Sequence, residues 1–347
     1  MQWTGWPRVK IEVPDRDGST PTREVEAIAP FIISASRSTD IPAFHGDWFI
    51  ERLRQGYARW VNPWNRKSTY VSFVNARAFI FWSKNPAPFI PCLREMDLLG
   101  LRYILMFTLN DYEAEGLEPR VPPIADRIRT FRAVSRLAGK GRVAWRWDPL
   151  LLSGSIDVGE LLDRIGKVGD AVAPFTDRMI ISFISIARYP RVERNLQNRG
   201  FGDVREFIPG EKLELARGLA DLNRRWNLDI STCAGERDLT RYGIGPGHCI
   251  SRRQLLRELG DDGVLRDFLG AGEPTGRDAP LPPHLKDRGQ RRECGCVVSK
   301  DIGEYSTCPH LCAYCYANSS AARVGKRSAA WKELAEKGIF GDSISGD

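Results

Sequence analysis

Long apolar runs are missing from this sequence. None approaches the ~18 residues that span a bilayer, so no membrane partner is expected. The start, Met1-Gln2-Trp3-Thr4-Gly5-Trp6-Pro7, lacks the charged stretch followed by an apolar one that marks a targeting segment, and the expected location is cytoplasmic. Blocks of like charge are missing as well. The formal net charge is +7, from 51 Lys and Arg against 44 Asp and Glu, with no basic run long enough for a tail. A mild basic excess suits an anionic substrate or a nucleic acid and requires neither. Cysteine is scarce in the first two-thirds of the chain, where only Cys92 stands; a lone thiol there reads as a small buried core residue.

The other seven cysteines fall between Cys233 and Cys315. In a cytoplasmic chain such clustering argues for metal ligation rather than disulfides. At 347 residues, 42% of them apolar, the chain can bury a full core as one large α/β domain or two smaller ones.

After a polar, Pro- and Gly-broken extension at 1–30, with one short strand expected near 9–13, apolar β-rich runs recur at 31–36, 79–83, 103–109, 143–147, 179–185 and 228–233. Helical patterns separate them at 47–55, 88–99, 124–137, 158–172, 211–223 and 252–259. Strands alternating with helices imply βαβ units and a parallel sheet, as an open barrel or a doubly wound sheet. The resulting division is 31–235 for the sheet, 236–320 for a cysteine-rich segment capping it, and 321–347 for a C-terminal helix and tail.

Sites in parallel α/β folds form at the carboxyl ends of strands. Those ends read Ser36-Arg37-Ser38-Thr39-Asp40, Ser83-Lys84-Asn85-Pro86, Thr108-Leu109-Asn110-Asp111, Trp145-Arg146-Trp147-Asp148-Pro149 and Ser231-Thr232-Cys233-Ala234-Gly235-Glu236. Arg37, Asp40, Lys84, Arg146 and Asp148 are the candidate substrate-facing and catalytic residues. Ordinary loop polarity accounts for the Asn and Ser; it accounts poorly for Arg146 between two tryptophans, although Asp148 on the same strand face offers a structural ion pair. In the first strand Phe31, Ile33 and Ala35 share the face that suits covering helices. Ser34 and Ser36 share the face that suits a polar cavity.

The most specific pattern is Cys308-x3-Cys312-x2-Cys315. Three thiolates leave one iron of a four-iron cluster open for another ligand. Zinc competes, but a structural zinc site wants four closed ligands, and His310 inside the loop is as readily a loop residue. Cys233, Cys249, Cys294 and Cys296 suffice for a second, closed 4Fe–4S cluster or a structural zinc, against a mix of structural and unpaired thiols.

Cys308-x3-Cys312-x-Tyr314-Cys315 resembles the cluster motif of radical S-adenosylmethionine enzymes, including the aromatic residue before the third cysteine. More closely, the chain resembles the bacterial domain-of-unknown-function family 1848. The resemblance runs from about 31 to 318 and rests on Ser-Arg-Ser-Thr-Asp at 36–40, Phe-Trp-Ser-Lys-Asn-Pro at 81–86 and Trp-Arg-Trp-Asp-Pro at 145–149. It continues through Lys-Asp-Arg-Gly-Gln-Arg at 286–291 and Cys294-Gly295-Cys296 to the final loop. The superfamily resemblance implies a partial (β/α)6 barrel, a 4Fe–4S cluster on the three cysteines and S-adenosyl-L-methionine on the open iron. It further implies a 5′-deoxyadenosyl radical acting on a small-molecule substrate, Tyr314 beside the cofactor, and a reductase, ferredoxin or flavodoxin as electron donor. The motif departs from that pattern by following the last strand instead of the first. A segment leaving the last strand and folding back over the first would restore its place. No Gly-Gly-Glu-like stretch follows the second strand, where the cofactor's amino group is usually gripped; Lys84 and Asn85 are the positional substitutes.

Weaker features remain. Gly243-Ile244-Gly245-Pro246-Gly247 reads as a turn or as a lining for an adenosyl pocket. His45 and His284 read as surface or capping residues. Residues 60–67, Trp-Val-Asn-Pro-Trp-Asn-Arg-Lys, interleave aromatics and cations, suiting a stacking platform for a nucleic acid or a loop that covers a substrate. The alternatives to a radical enzyme on a small molecule are therefore the same chemistry on a nucleic acid, or a non-catalytic iron–sulfur or zinc protein in electron transfer or regulation.

Overall fold

The computed structural model describes residues 5–14, 22–233, 237–272, 281–291 and 293–346; the Ala234-Gly235-Glu236 end of the last expected strand lies outside them. The strands are β1 Arg8–Pro14, β2 Thr22–Ile28, β3 Ile32–Ser34, β4 Tyr57–Val61, β5 Ser68–Ser72, β6 Ala78–Ser83, β7 Tyr103–Thr108, β8 Val143–Leu150, β9 Arg178–Phe183, β10 Asp229–Cys233, β11 Gly245–Gly247 and β12 Lys300–Asp301. The helices are α1 Ile41–Phe44, α2 Gly46–Gln55, α3 Ile90–Leu98, α4 Ile124–Ala138, α5 Val158–Val172, α6 Pro190–Gln197, α7 Pro209–Trp226, α8 Arg252–Leu259, α9 Gly263–Phe268 and α10 Ala321–Glu336. None of the described helices is long and apolar enough to cross a membrane.

Eight parallel strands form one sheet in the order β11-β10-β9-β8-β7-β6-β3-β12. From β6 to β10 the neighbours are consecutive, and β6 follows β3 after the excursion through β4 and β5, so successive crossovers advance in one direction, as right-handed βαβ connections do. β6 and β7 are buried at every position, as expected of parallel strands covered on both faces. This is the mixed α/β architecture the alternation implied. Among the described residues β11 and β12 are its two edges and no ladder joins them.

One face carries the helices. α5 places Val158, Leu161, Ile165, Val168 and Val172 on a single stripe, the spacing of an amphipathic helix, and Asp157 caps its start by accepting from the Glu160 N–H. α7 lies against it so closely that a Cβ on Gly169 would fall 2.1 Å from Trp226; only glycine fits there. Ile33 and Ala35 belong to this core, as expected; Phe31, expected with them, precedes β3 and packs on the opposite side against Phe268.

The other face departs from the polar cavity expected of it. Ile32, Ala78, Ile80, Trp82, Ile104, Met106, Ala144 and Ile180 line it, and Leu255, Leu259, Leu265, Leu269, Leu285 and Val297 fill it. Each buried leucine there contributes about 2 kcal/mol relative to exposure. The segment expected as a cap at 236–320 is thus also a core element: α8 and α9 pack beneath the sheet, while β11 and β12 extend both its edges. β12 pairs with β3, Lys300 against Ile33 and Asp301 against Ser34, so the far end of the chain returns beside the first strand of the series.

The N-terminal residues hold two strands where one was expected. β1 pairs antiparallel with β2, and β2 continues parallel to β5, making a second sheet of order β1-β2-β5-β4. Residues 60–67, expected as one loop, are the end of β4 and its turn into β5. Gly245–Gly247, expected as a turn, is the edge strand β11, and a Cβ on Gly247 would meet Ser231 at 2.5 Å.

Candidate functional site

The loop 302–318 leaves β12 and crosses the carboxyl ends of several strands. Its turn is held by the Cys315 N–H donating to the Cys312 carbonyl at 3.2 Å and by Ala313 donating to the Leu117 carbonyl at 2.8 Å. From α6, Asn195 Nδ2 donates to the Cys315 carbonyl at 2.8 Å and to that of Asn318 at 3.2 Å, and Arg199 donates to the Leu311 carbonyl. Tyr316 donates its hydroxyl to the Arg37 carbonyl. The sulfurs of Cys308, Cys312 and Cys315 are close enough to act on one another electrostatically, and burial pushes all three thiols up. Thiols so desolvated stay protonated unless a metal takes the proton's place.

Asp40 ties this loop to the sheet. Its Oδ1 caps α1 by accepting from Ala43 N–H at 3.0 Å. Its Oδ2 accepts from the Lys84 N–H at 2.8 Å and lies 2.9 Å from His310 Nε2. The other ring nitrogen of His310 faces the Arg120 carbonyl at 3.2 Å. Burial works to raise the Asp40 carboxyl, but His310 and the bonds from Lys84 and Ser83 hold it below the usual carboxylate range. His310 is therefore a structural post of the loop. His45, expected as a surface or capping residue, is the N-cap residue of α2 but is buried beneath the same loop, with Nε2 3.3 Å from the Thr307 carbonyl and Trp331 and Phe44 around its ring.

A second buried cluster centres on Glu118. It accepts from Lys84 Nζ at 2.8 Å, from Asn110 Nδ2 at 3.0 Å and from the Tyr314 hydroxyl, with Arg127 at 3.6 Å. Burial would raise the Glu118 carboxyl; Lys84 and Arg127 bring it down to about 2. Tyr314, expected beside the cofactor, has its hydroxyl in this network, with Lys84 Nζ at 3.0 Å and Asn110 Nδ2 at 3.1 Å. Asn85 serves its own turn, its N–H bonded to Ser83 Oγ at 3.0 Å and its Oδ1 accepting from Ala87 at 3.4 Å. Glu118 was invisible in the sequence because it stands in an acidic, Pro-rich loop without periodicity.

Arg146 and Asp148 form the ion pair their shared strand face allowed, and Arg146 Nη1 donates to Thr108 Oγ1 at 3.2 Å. Asp148 is fixed through its N–H, which donates to Asn110 Oδ1 at 2.9 Å. Arg146 Nε is buried with no hydrogen-bond partner among the described residues. Burial opposes its charge, yet Asp148, Cys249 and Cys233 more than offset that and hold the guanidinium cationic. Arg37 is tied to Asp287 at 2.9 Å and to Ser299 at 3.1 Å, lies over Trp82, and feels Cys296.

Both arginines thus face the second cysteine group. Cys233 ends β10, Cys249 follows β11, and Cys294 and Cys296 come from the segment beneath the sheet. Cys249 and Cys233 stand 3.7 Å apart sulfur to sulfur, and the Ile250 N–H points at Cys296 Sγ at 3.5 Å. Cys249 interacts with Cys296 as well, and Cys294 with Cys296, so the four thiols form one chain of neighbours. Hydrogen bonds from Cys233 and Cys296, aided by Arg146 and Arg178, draw the Cys249 thiol well down. Among the described residues no three His, Cys, Asp or Glu side chains are already arranged around a single metal ion. The donor chemistry fits a soft metal in both places.

The remaining expectations separate. In the 60–67 stretch Trp64 is exposed, whereas Trp60 is half-buried with Lys300 Nζ 3.2 Å from its ring centroid. Cys92 is buried in the helix-side core, as expected of a lone thiol.

The model of one protein family, described as a domain of unknown function (DUF1848), matches residues 32–317. No curated protein and no solved structure matches the chain.

Proposed function

The chain belongs to the DUF1848 family, and from that premise we propose that it is an iron–sulfur enzyme of the radical S-adenosylmethionine type, acting on a small-molecule substrate. Cys308, Cys312 and Cys315 hold a 4Fe–4S cluster with one iron open. The observation that carries the reading is the placement of three mutually interacting, desolvated thiols in a loop across the strand ends, with Asp40, Lys84 and Glu118 wired beneath it. When bound, such a cluster supplies the electron that cleaves S-adenosyl-L-methionine and yields a 5′-deoxyadenosyl radical.

The chain's own residues have distinct tasks in this reading. Asp40 and His310 set the height of the loop over β3 and β6. Glu118, Lys84 and Tyr314 fix the residue beside the third cysteine, so that Tyr314 is a positioning residue. Arg146 and Arg37 bring cationic charge toward the sulfur-rich side of the strand ends. In this reading the parallel sheet serves as a partial (β/α)6 barrel with its strand ends toward the loop. A ferredoxin, flavodoxin or reductase provides the electron.

Electron paramagnetic resonance of the anaerobically reconstituted, reduced chain tests the open iron. The reading expects a 4Fe–4S signal that shifts on adding S-adenosylmethionine. A cluster signal that the cofactor leaves untouched overturns it in favour of an electron-transfer protein.

A further inference from the structure

Among the described residues Arg178 is a buried cation without a carboxylate in an ion pair. Its guanidinium donates to Gln254 Oε1 at 2.9 Å and to the His248 carbonyl, both neutral. Burying a guanidinium costs several kcal/mol unless a negative group compensates. The groups that favour its charge are Cys249, Asp229 and Cys296. Two of these are thiols of the four-cysteine group. Arg146, with its unpaired buried Nε, acts on Cys249 and Cys233. Arg291 Nη2 lies 3.8 Å from Cys233 Sγ, and Arg37 acts on Cys296. Four arginines therefore approach the four thiols; Asp148 and Asp287 already pair Arg146 and Arg37, so Arg178 and Arg291 bring the positive charge that makes sense if the sulfurs are thiolates.

The spacing indicates what would hold four thiolates together. A tetrahedral zinc ion with Zn–S bonds of ≈ 2.3 Å sets its sulfurs about 3.8 Å apart. Cys249 and Cys233 stand at 3.7 Å, and the remaining contacts run on from Cys249 through Cys296 to Cys294. We propose that Cys233, Cys249, Cys294 and Cys296 bind one structural zinc ion, separate from the cluster at Cys308, Cys312 and Cys315. Binding converts four thiols to thiolates and releases four protons to solvent, leaving a centre of net charge −2 that the arginines balance. The ion joins the end of β10, the turn after β11 and the segment 294–296, and so fastens the cysteine-rich segment to the inner face of the sheet. The two glycine-restricted positions beside it agree: a Cβ on Gly295 would strike His248 at 2.1 Å, and one on Gly247 would strike Ser231.

Metal analysis of the purified full chain tests this. About one zinc per chain is expected, lost in Cys249→Ser and in Cys296→Ser and kept in Cys312→Ala. In the wild-type chain, iodoacetamide followed by peptide mass spectrometry should spare Cys233, Cys249, Cys294 and Cys296 until a zinc chelator is added. This arm holds even where a variant does not fold. Loss of about four irons with Cys249→Ser would overturn the proposal in favour of a closed cluster; alkylation of the four thiols indifferent to chelator in a zinc-free chain would overturn it altogether. Zinc present without iron would support it while removing the proposed radical chemistry.

Discussion

Asp40 Oδ2 and His310 Nε2 meet at 2.9 Å across 270 residues of sequence. The contact joins the end of the first parallel strand to the middle of the three-cysteine loop, and Asp40 also holds the Lys84 N–H. Asp40→Asn removes the negative charge while keeping the shape. Because an amide offers one acceptor oxygen where the carboxylate offers two, a buried hydrogen bond is left unmade and a loss of about 2 kcal/mol in urea unfolding is expected, together with reduced iron uptake on reconstitution. A change under about 0.5 kcal/mol would show that the pair does not carry the loop.

Glu118 gives a second, pH-dependent handle. Its carboxyl lies at about 2 in the folded chain against 4.5 for a free one. The depressed value means that its stabilisation is present above pH 4.5 and lost as pH falls toward 2, an effect of about 3 kcal/mol. Glu118→Gln leaves Lys84 and Arg127 buried without their acid, at a cost of about 3–5 kcal/mol at neutral pH. The gap between variant and wild type should close as pH falls through this window, measured by denaturant midpoints.

His45 titrates in the opposite chemical sense but with the same dependence on pH. Burial lowers its imidazole from 6.5 to about 4. The folded chain keeps it neutral while the unfolded chain takes up the proton, so stability present above pH 6.5 is lost as pH falls toward 4, by about 3 kcal/mol. His45→Phe, packed among Phe44 and Trp331, should flatten the stability profile between pH 4 and 6.5. An unchanged slope there would assign it to other groups.

Arg178 distinguishes a charge-compensating shell from ordinary packing. Arg178→Met should weaken zinc retention against a competing chelator by about 10-fold or more. In the metal-free chain the same substitution relieves a buried, uncompensated cation and should leave stability equal or higher. Equal zinc retention in variant and wild type would separate the arginine from the thiols.

Much of this was readable in the sequence. The six apolar runs became β3, β6, β7, β8, β9 and β10, and 158–172 and 252–259 became α5 and α8 at the same bounds, because buried parallel strands and amphipathic helices leave strong periodic signals. The small sheet did not show: β2 reads Thr-Arg-Glu-Val-Glu-Ala-Ile and is mostly exposed, so its pairing leaves no apolar pattern. β11 is Gly-Pro-Gly and β12 only two residues, each defined by a neighbour rather than by its own composition. The cysteines declared themselves by clustering. Glu118, Asn110 and Arg178 did not, since a buried polar network is a property of three-dimensional neighbours. The covered inner face was missed for a similar reason: its filling leucines come from 255–285, remote in sequence from the strands they cover.

The central claim is radical cleavage of S-adenosylmethionine at the Cys308, Cys312 and Cys315 centre. The direct measurement is 5′-deoxyadenosine release by anaerobically reconstituted, reduced protein, quantified beside its iron content. The account predicts release from the wild-type chain carrying about four irons at this centre, and none from Cys312→Ala. A fully loaded chain that releases no 5′-deoxyadenosine under any reductant would contradict it.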